Sequence, residues 1–319
     1  MPYIDPMEIE RVKQIDLLNY LMSNEPDELI KRSAREYITK SHDSLVISHG
    51  KWHWFSRGIG GKSALDYLIK VKCMRFLDAV NILLEASTTP VDPSQIATKI
   101  SPTERPFVLP RKSASCDKAK SYLELRGIDS HVISDCIKRG LIYENHSDCY
   151  TNVVFVGKDN TDKPRYAFIR GCGGYFKGEA EGSNKRFSFR LTSNSLNPRL
   201  HVFESAIDAL SFATIQLHND VDWRGENLLS LGGIHKIKAW MYQTRIPQAL
   251  SQWLGDRPST REVILHLDND TPGIMAADAI ATALHGRVEC SIVPPPFGKD
   301  MNDYLLGKDG LKKAKEAVR

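Results

Sequence analysis

The feature that most constrains this chain is a strand–helix alternation that begins at residue 199 and runs nearly to its end. RLHVFE reads as a strand and SAIDALSFATIQLH as a helix. NLLSLGG is a strand again, and the helical stretch HKIKAWMYQTRIPQALSQWL that follows is broken at Pro247. REVILHLD, the helix TPGIMAADAIATALHG and the strand RVECSIVP complete the series. Strands joined through helix-length crossovers pair in parallel. Residues 199–319 are therefore expected to be an α/β domain, a parallel sheet with helical crossovers.

Such sheets bind ligands at the carboxyl ends of their strands. RLHVFE ends in Glu204, and REVILHLDND ends in Asp268 and Asp270. The last strand leads through PPPFGKD into Asp300, Asn302 and Asp303. One rim is thus expected to gather Glu204, Asp268, Asp270 and Asp300, with Asp303 nearby. Carboxylates this close repel one another unless a cation lies among them. Hard oxygen donors suit Mg²⁺ or Mn²⁺, which keep waters and bridge to phosphates. Asp268 and Asp270, two residues apart, share a side on an extended strand end. A plainer role stands beside this one: Asp270, before Thr271–Pro272, fits the cap of the next helix.

Upstream, the chain divides by composition. Residues 1–86 read as a small α+β module. Ile9, Val12, Ile15 and Leu18 recur at helical spacing, and SLVISHGKWHWF reads as one or two strands. Two amphipathic helices with a break near Lys72 follow. Prolines 90, 93, 102, 106 and 110 crowd residues 87–114, which read as an extended linker. Residues 115–198 begin with two short helices, CDKAKSYLELRG and DSHVISDCIKRG, each closed by Gly. The strands TNVVFVGK, RYAFIRGC and KRFSFRLT then suggest an antiparallel sheet.

Overall charge is nearly balanced, with a formal excess of +4 over 319 residues, so its distribution matters more than its sum. Lys158, Lys163, Arg165, Arg170, Lys177, Lys185, Arg186 and Arg190 face only Asp159, Asp162, Glu179 and Glu181 within one segment. With Lys299, this basic surface suits a template backbone or nucleoside triphosphates; a solvated sheet face is the alternative. Arg186 and Arg190 share a face if both lie on one strand, whereas Arg165 and Arg170 do not. No apolar run approaches the roughly 18 residues of a membrane span. MPYIDPMEIE lacks a secretory core. Six scattered cysteines without a CxxC pair argue against a disulfide scaffold and fit a reducing cytoplasm. GGKSA is no P-loop, because Ser56 stands where that motif needs Gly; Ser63 reads as a helix cap.

HVFESAIDALS, LLSLGGI, VILHLDNDTPGIMAADAI and GKDMNDYLL together resemble a Toprim domain, the fold shared by DnaG-type primases, topoisomerases and several nucleases. The resemblance covers about residues 199–308 and places Glu204, Gly232 or Gly233, Asp268 with Asp270, and Asp300 with Asp303 on the family's motifs. It implies that Asp268, Asp270 and Asp300 ligate a divalent metal and that Glu204 is a ligand or moves a proton. Residues 44–86 resemble a primase zinc-binding module stripped of its cysteines, with Trp54 and Arg57 near their places, so no zinc is expected. Trp52, Trp54 and Phe55 then serve packing or base stacking. The middle segment resembles a domain of unknown function found before Toprim in proteins of plasmids and conjugative elements. The resemblance implies a primase-like enzyme that makes RNA primers on single-stranded DNA, with unwinding left to a partner such as a replicative helicase. A metal-dependent Toprim nuclease and a non-catalytic DNA-binding accessory share the same motifs.

Overall fold

The computed structural model describes residues 5–33, 35–55, 57–86, 106–147, 150–174, 176–233, 246–308 and 310. Residues 87–105 of the expected linker and 234–245 of the expected helical stretch lie outside them. The chain forms two compact units: residues 1–104 with 147–150 and 175–177, and the remainder from 105 onward.

The first unit opens with α1 (Pro6–Lys13) and α2 (Leu17–Asn24). The helical spacing of this stretch is split in two because Asp16 turns to cap α2, its side chain accepting from the Asn19 amide at 3.0 Å. A meander of β1 (Leu29–Lys31), β2 (Glu36–Thr39), β3 (Leu45–Ser48), β4 (Lys51–Trp54) and β5 (Ile59–Gly61) follows in sheet order. The helices α3 (Ala64–Lys70), capped by Ser63, and α4 (Phe76–Glu85) close it. Alternation along β4 sends Trp52 and Trp54 into the core and leaves Lys51 and His53 outside. The two tryptophans therefore pack, and Arg57 lies over the Trp54 ring at 5.2 Å. Cys116, Cys136, Cys172 and Cys290 are free thiols, but Cys73 is disulfide-bonded, a departure from the reduced pattern expected.

The second unit begins with residues 106–114 laid along the middle sheet, where Pro110 and Arg111 carbonyls accept from Tyr143 and Asn145. The helices α5 (Asp117–Leu125) and α6 (Ser130–Lys138) end at Gly127 and Gly140, both at positive φ. The strands β6 (Ile142–Ser147), β7 (Tyr150–Lys158), β8 (Pro164–Gly171) and β9 (Lys177–Glu179) make a four-stranded sheet, with β7 and β8 antiparallel.

KRFSFRLT does not extend that sheet. Lys185–Phe187 form a 3₁₀ turn capped by Asn184, and only β10 (Arg190–Leu191) is extended. The segment bends because Gly157 admits the Phe187 carbonyl; a Cβ there would stand 1.7 Å from that oxygen. The strand β10 joins the next sheet instead, antiparallel to its neighbour.

That sheet is built from β11 (Arg199–Phe203), α7 (Ala206–His218), β12 (Leu228–Ser230), α8 (Gln248–Asp256), β13 (Glu262–His266), α9 (Thr271–Leu284), β14 (Glu289–Ile292) and α10 (Met301–Lys308). Its order is β10-β12-β11-β13-β14, with β12, β11, β13 and β14 parallel. The expected helix break at Pro247 is the start of α8. Leu200, Val202, Val263 and Leu265 meet α8 and α9 on one face. Phe203 and Leu228 meet α7 on the other, in a core that also takes in α5, α6 and β7. One core thus crosses the expected boundary at residue 198, because α7 is apolar on both sides and is sandwiched.

Candidate functional site

The strand order explains where the site lies. The chain leaves β11 through α7 toward β12, and leaves β13 through α9 in the opposite direction toward β14. A crevice opens between adjacent strands whose connections diverge in this way. Phe203 pairs with His266, so Glu204 and Asp268 emerge on either side of that crevice. The Gly232–Gly233 turn after β12, at positive φ, brings the Gly233 amide to the Glu204 carbonyl at 2.9 Å. Tyr166 lies close against Gly232, leaving no room for a Cβ.

Side-chain parity then brings a residue into play that the sequence reading missed. Leu267 continues the α9 face of β13, and Asp268 continues the α7 face begun by His266. The first turn of α7 carries Asp208, 5% exposed. Its Oδ2 accepts from Ser205 Oγ at 2.6 Å and its Oδ1 from the Asn302 amide at 3.3 Å. Burial, and then the charges of Asp300 and Asp268, push the Asp208 carboxyl up to about 7. Asp208, Asp268 and Asp300 therefore share one field. The signal was present in Glu204-Ser205-x-x-Asp208, where a capping Ser places an acid one turn after the strand-ending Glu.

Asp268 and Asp270 converge on one cation. Lys299 Nζ stands 2.9 Å from Asp268 Oδ2 and 3.2 Å from Asp270 Oδ2. The other Asp270 oxygen accepts from the Gly273 amide at 3.0 Å and caps α9, so capping and clasping are combined in one carboxylate. Burial raises the Asp268 carboxyl against the pull of Lys299, whereas the Gly273 amide, helped by Lys299, lowers that of Asp270. Asp300 begins α10, accepting from the Asp303 amide at 2.7 Å, and Asp303 accepts from the Lys299 amide at 3.2 Å. Asn302 is fully buried and pins α10 through the Arg126 carbonyl at 2.7 Å and Ser211 Oγ at 3.0 Å. Beneath the crevice His201 and His266 are in contact at 2.9 Å and stack with Phe203 and Phe212. Burial depresses both imidazoles, His201 to about 3 and His266 to about 4.

The expected rim of four carboxylates thus resolves into two overlapping groups, Asp268–Asp270 around Lys299 and Asp208–Asp268–Asp300, with Glu204 at the edge of the same crevice. Among the described residues, no group of three or more His, Cys, Asp or Glu side chains is arranged to hold a metal ion. The fit to a divalent ion rests instead on the clasp. Asp268 and Asp270 already share one cation, the Lys299 ammonium, and Mg²⁺ needs only one or two carboxylates beside water and phosphate oxygens.

The basic residues are more committed than their number implies. Lys158 pairs with Asp162 at 2.9 Å, Arg165 with Asp159 at 2.7 Å and Lys185 with Glu179 at 2.9 Å. Arg170 donates to Tyr122 at 3.2 Å, on the face opposite exposed Arg165, as the odd spacing requires. Lys163 and Arg186 are exposed. Arg186 sits in the 3₁₀ turn and Arg190 is buried, so the shared strand face expected of them does not form.

Residues 201–305 match the family described as Toprim-like. Residues 121–195 match a protein family of unknown function, DUF3991, in the place expected for such a domain. An uncharacterized Bacillus anthracis protein, pXO2-78, is 28% identical over 302 residues, 90% of this chain and 82% of its own. A 65 kDa protein of Zymomonas mobilis is 30% identical over 207 residues, 61% of this chain but only 32% of that protein. Among solved structures, the primase fragment of the bacteriophage T7 primase-helicase aligns over 67% of this chain and 81% of its own, with TM-score 0.44 and 18% identity. The Aquifex aeolicus primase aligns over 98% and 84%, with TM-score 0.39 and 14% identity. No helix among the described residues is long and apolar enough to cross a membrane.

Proposed function

We propose that this chain is a primase-like nucleotidyltransferase, serving a mobile element, that joins ribonucleotides into short primers on single-stranded DNA. The observation that carries this reading is the convergence of Asp268 and Asp270 on a single cation position, in the field of Asp208 and Asp300. In it, Asp268 and Asp270 hold Mg²⁺ or Mn²⁺, with Asp300 and Glu204 at its margin. A bound divalent ion supplies charge neutralisation and activation of a hydroxyl. In this reading Lys299, once displaced from the carboxylates, contacts the phosphates of a nucleoside triphosphate. In the same reading Glu204 accepts the proton of the 3′-hydroxyl as it attacks the α-phosphate and pyrophosphate leaves. Asp208, with its raised affinity for protons, limits the negative charge of the crevice when no cation fills it. Lys163 and Arg186 present exposed charge to a template backbone.

The test is incubation with single-stranded DNA, labelled ATP and Mn²⁺. Labelled oligoribonucleotides that vanish in Asp268→Asn, with DNA binding changed by less than about twofold, support the reading. Shortened DNA instead would replace it with a Toprim nuclease, and binding without either product with a non-catalytic accessory. Product formation surviving in Asp268→Asn would refute the site assignment.

A further inference from the structure

A second pocket lies away from the acidic crevice. It has a volume of about 390 Å³, and Arg139, Lys158, Arg190 and Arg257 line it together with the carboxylates Asp159 and Asp162. Thr192, also in its wall, follows β10 beyond the Leu191–Leu228 pair, and Arg257 caps α8 just before the chain enters β13. Both positions set the pocket toward the amino-terminal ends of the parallel strands, opposite Asp268.

Its guanidinium groups are incompletely satisfied. Arg190 is 6% exposed; its Nη2 donates to the Arg186 carbonyl at 3.0 Å and its Nε to that of Ser188 at 3.4 Å. Its Nη1 is buried without a hydrogen-bond partner among the described residues, and so is Nη1 of Arg257. Arg257 stacks on Trp253 at 4.0 Å, with Arg190 on the same ring at 6.0 Å. Nearby carboxylates do not pair with these two donors. Asp159 is bound to Arg165, and Asp162 to Lys158. Asp256 accepts from Gln252 through Oδ1, and its Oδ2 makes no hydrogen bond among the described residues. A buried, unpaired cationic donor is costly, and two near one another are costlier still, unless an anion completes them. Burial and the Arg257 charge lower Arg190 to about 10 against the opposing charges of Asp256 and Asp159.

We propose that this pocket is a phosphate-binding subsite, separate from the acidic crevice, in which Arg190 and Arg257 donate to phosphate oxygens and Lys158 adds charge at the rim. Planar guanidinium forks suit this geometry. The phosphate belongs either to a free nucleotide or to a nucleic-acid strand. The subsite stands independently of primer synthesis, because it is read by binding alone.

The experiment compares the full chain with Arg257→Gln and, separately, Lys158→Gln. Each is titrated with inorganic phosphate, with ATP and with a fluorescent single-stranded oligonucleotide, all without divalent metal. Mn²⁺ binding, followed by electron paramagnetic resonance, reports the acidic crevice. Arg257→Gln is expected to weaken a phosphate ligand about tenfold and Lys158→Gln less, with Mn²⁺ affinity unchanged in both. Loss for ATP but not for the oligonucleotide assigns the subsite to a free nucleotide. Loss for the oligonucleotide, with a salt slope reduced by about one per cation removed, assigns it to a strand. Unchanged affinity for all three ligands in both folded variants overturns the proposal. So does loss of Mn²⁺ affinity in parallel, which would place the effect at the crevice.

Discussion

Replacing Lys299 by Met tests whether its ammonium occupies the cation position of the acidic crevice. Lys299 makes two ion pairs, at 2.9 and 3.2 Å, with a side chain 55% exposed. Pairs this wet are worth about 0.2–1 kcal/mol each. Taking about 0.5 kcal/mol for each gives roughly 1 kcal/mol that a divalent ion must overcome to displace the ammonium. Every 1.4 kcal/mol is a factor of ten, so Lys299→Met is expected to tighten Mn²⁺ binding about fivefold. The gain should shrink as pH falls, because Asp268, already raised by burial, loses the cation that holds its pKa down and binds protons more readily. ATP affinity is expected to move the other way, since the positive charge nearest the crevice is gone. Mn²⁺ titration by electron paramagnetic resonance at pH 8 and pH 6, with ATP titration by calorimetry, reads both effects. Mn²⁺ affinity that is unchanged or weaker in Lys299→Met would refute the reasoning, for the ammonium would then not be competing for the site.

Three further outcomes are expected. Asp208→Asn should stabilise the metal-free protein at pH 8 by about 2–4 kcal/mol and hardly at pH 4, because a carboxyl raised to about 7 binds its proton more tightly folded than unfolded and loses stability as pH rises; urea unfolding in EDTA checks it. Acidification from pH 8 to pH 5 should remove up to about 2 kcal/mol of stability through the His201–His266 pair, since burial depresses both imidazoles while the unfolded ones protonate below about 6.5, and the Glu226 carboxylate 3.3 Å from His201 Nε2 lets the pair keep one proton; His266→Phe should reduce that loss in urea unfolding at the two pH values. Gly273→Ala should cost about 1–3 kcal/mol and weaken Mn²⁺ binding, because its Cβ would meet the Asp268 carbonyl at 2.0 Å, whereas Gly255→Ala in α8, with open space around it, should stabilise by about 0.5–1 kcal/mol; thermal melts compare the two.

The parallel sheet was legible because each of its strands is a short apolar run bounded by a helix of the right length, and local pattern suffices for that. The acidic crevice was legible as a rim because strand ends are chemically marked. What the sequence did not reveal depends on contacts between distant segments. Asp208 reads as an ordinary acid in a capping box until parity turns Asp268 toward α7. KRFSFRLT has the composition of a strand, yet it bends where the bare backbone of Gly157 receives the Phe187 carbonyl. Arg190, counted as surface charge, is buried against Trp253, and only the packing of α8 on the 185–187 turn and β12 reveals that. Asp16 divides an evenly spaced helical pattern, because a cap competes with helix continuation at a position that periodicity alone cannot distinguish.

The two roles weighed for Asp270 are one role. In a parallel sheet with helical crossovers, every helix begins where a strand has just ended, so the caps and the ligand rim occupy the same ground. Asp270 caps α9 with one oxygen and holds Lys299 with the other. Asp300 caps α10 while its charge acts on Asp208, and Ser205 caps α7 while donating to Asp208. The partial positive charge at the starts of α7, α9 and α10 offsets some of the carboxylate repulsion that gathers there. What those amides leave unbalanced is visible in the raised Asp208 and in the lysine drawn between Asp268 and Asp270. The crevice is therefore a place where the fold itself concentrates acids and supplies less positive charge than they need, which is the physical condition for binding a cation.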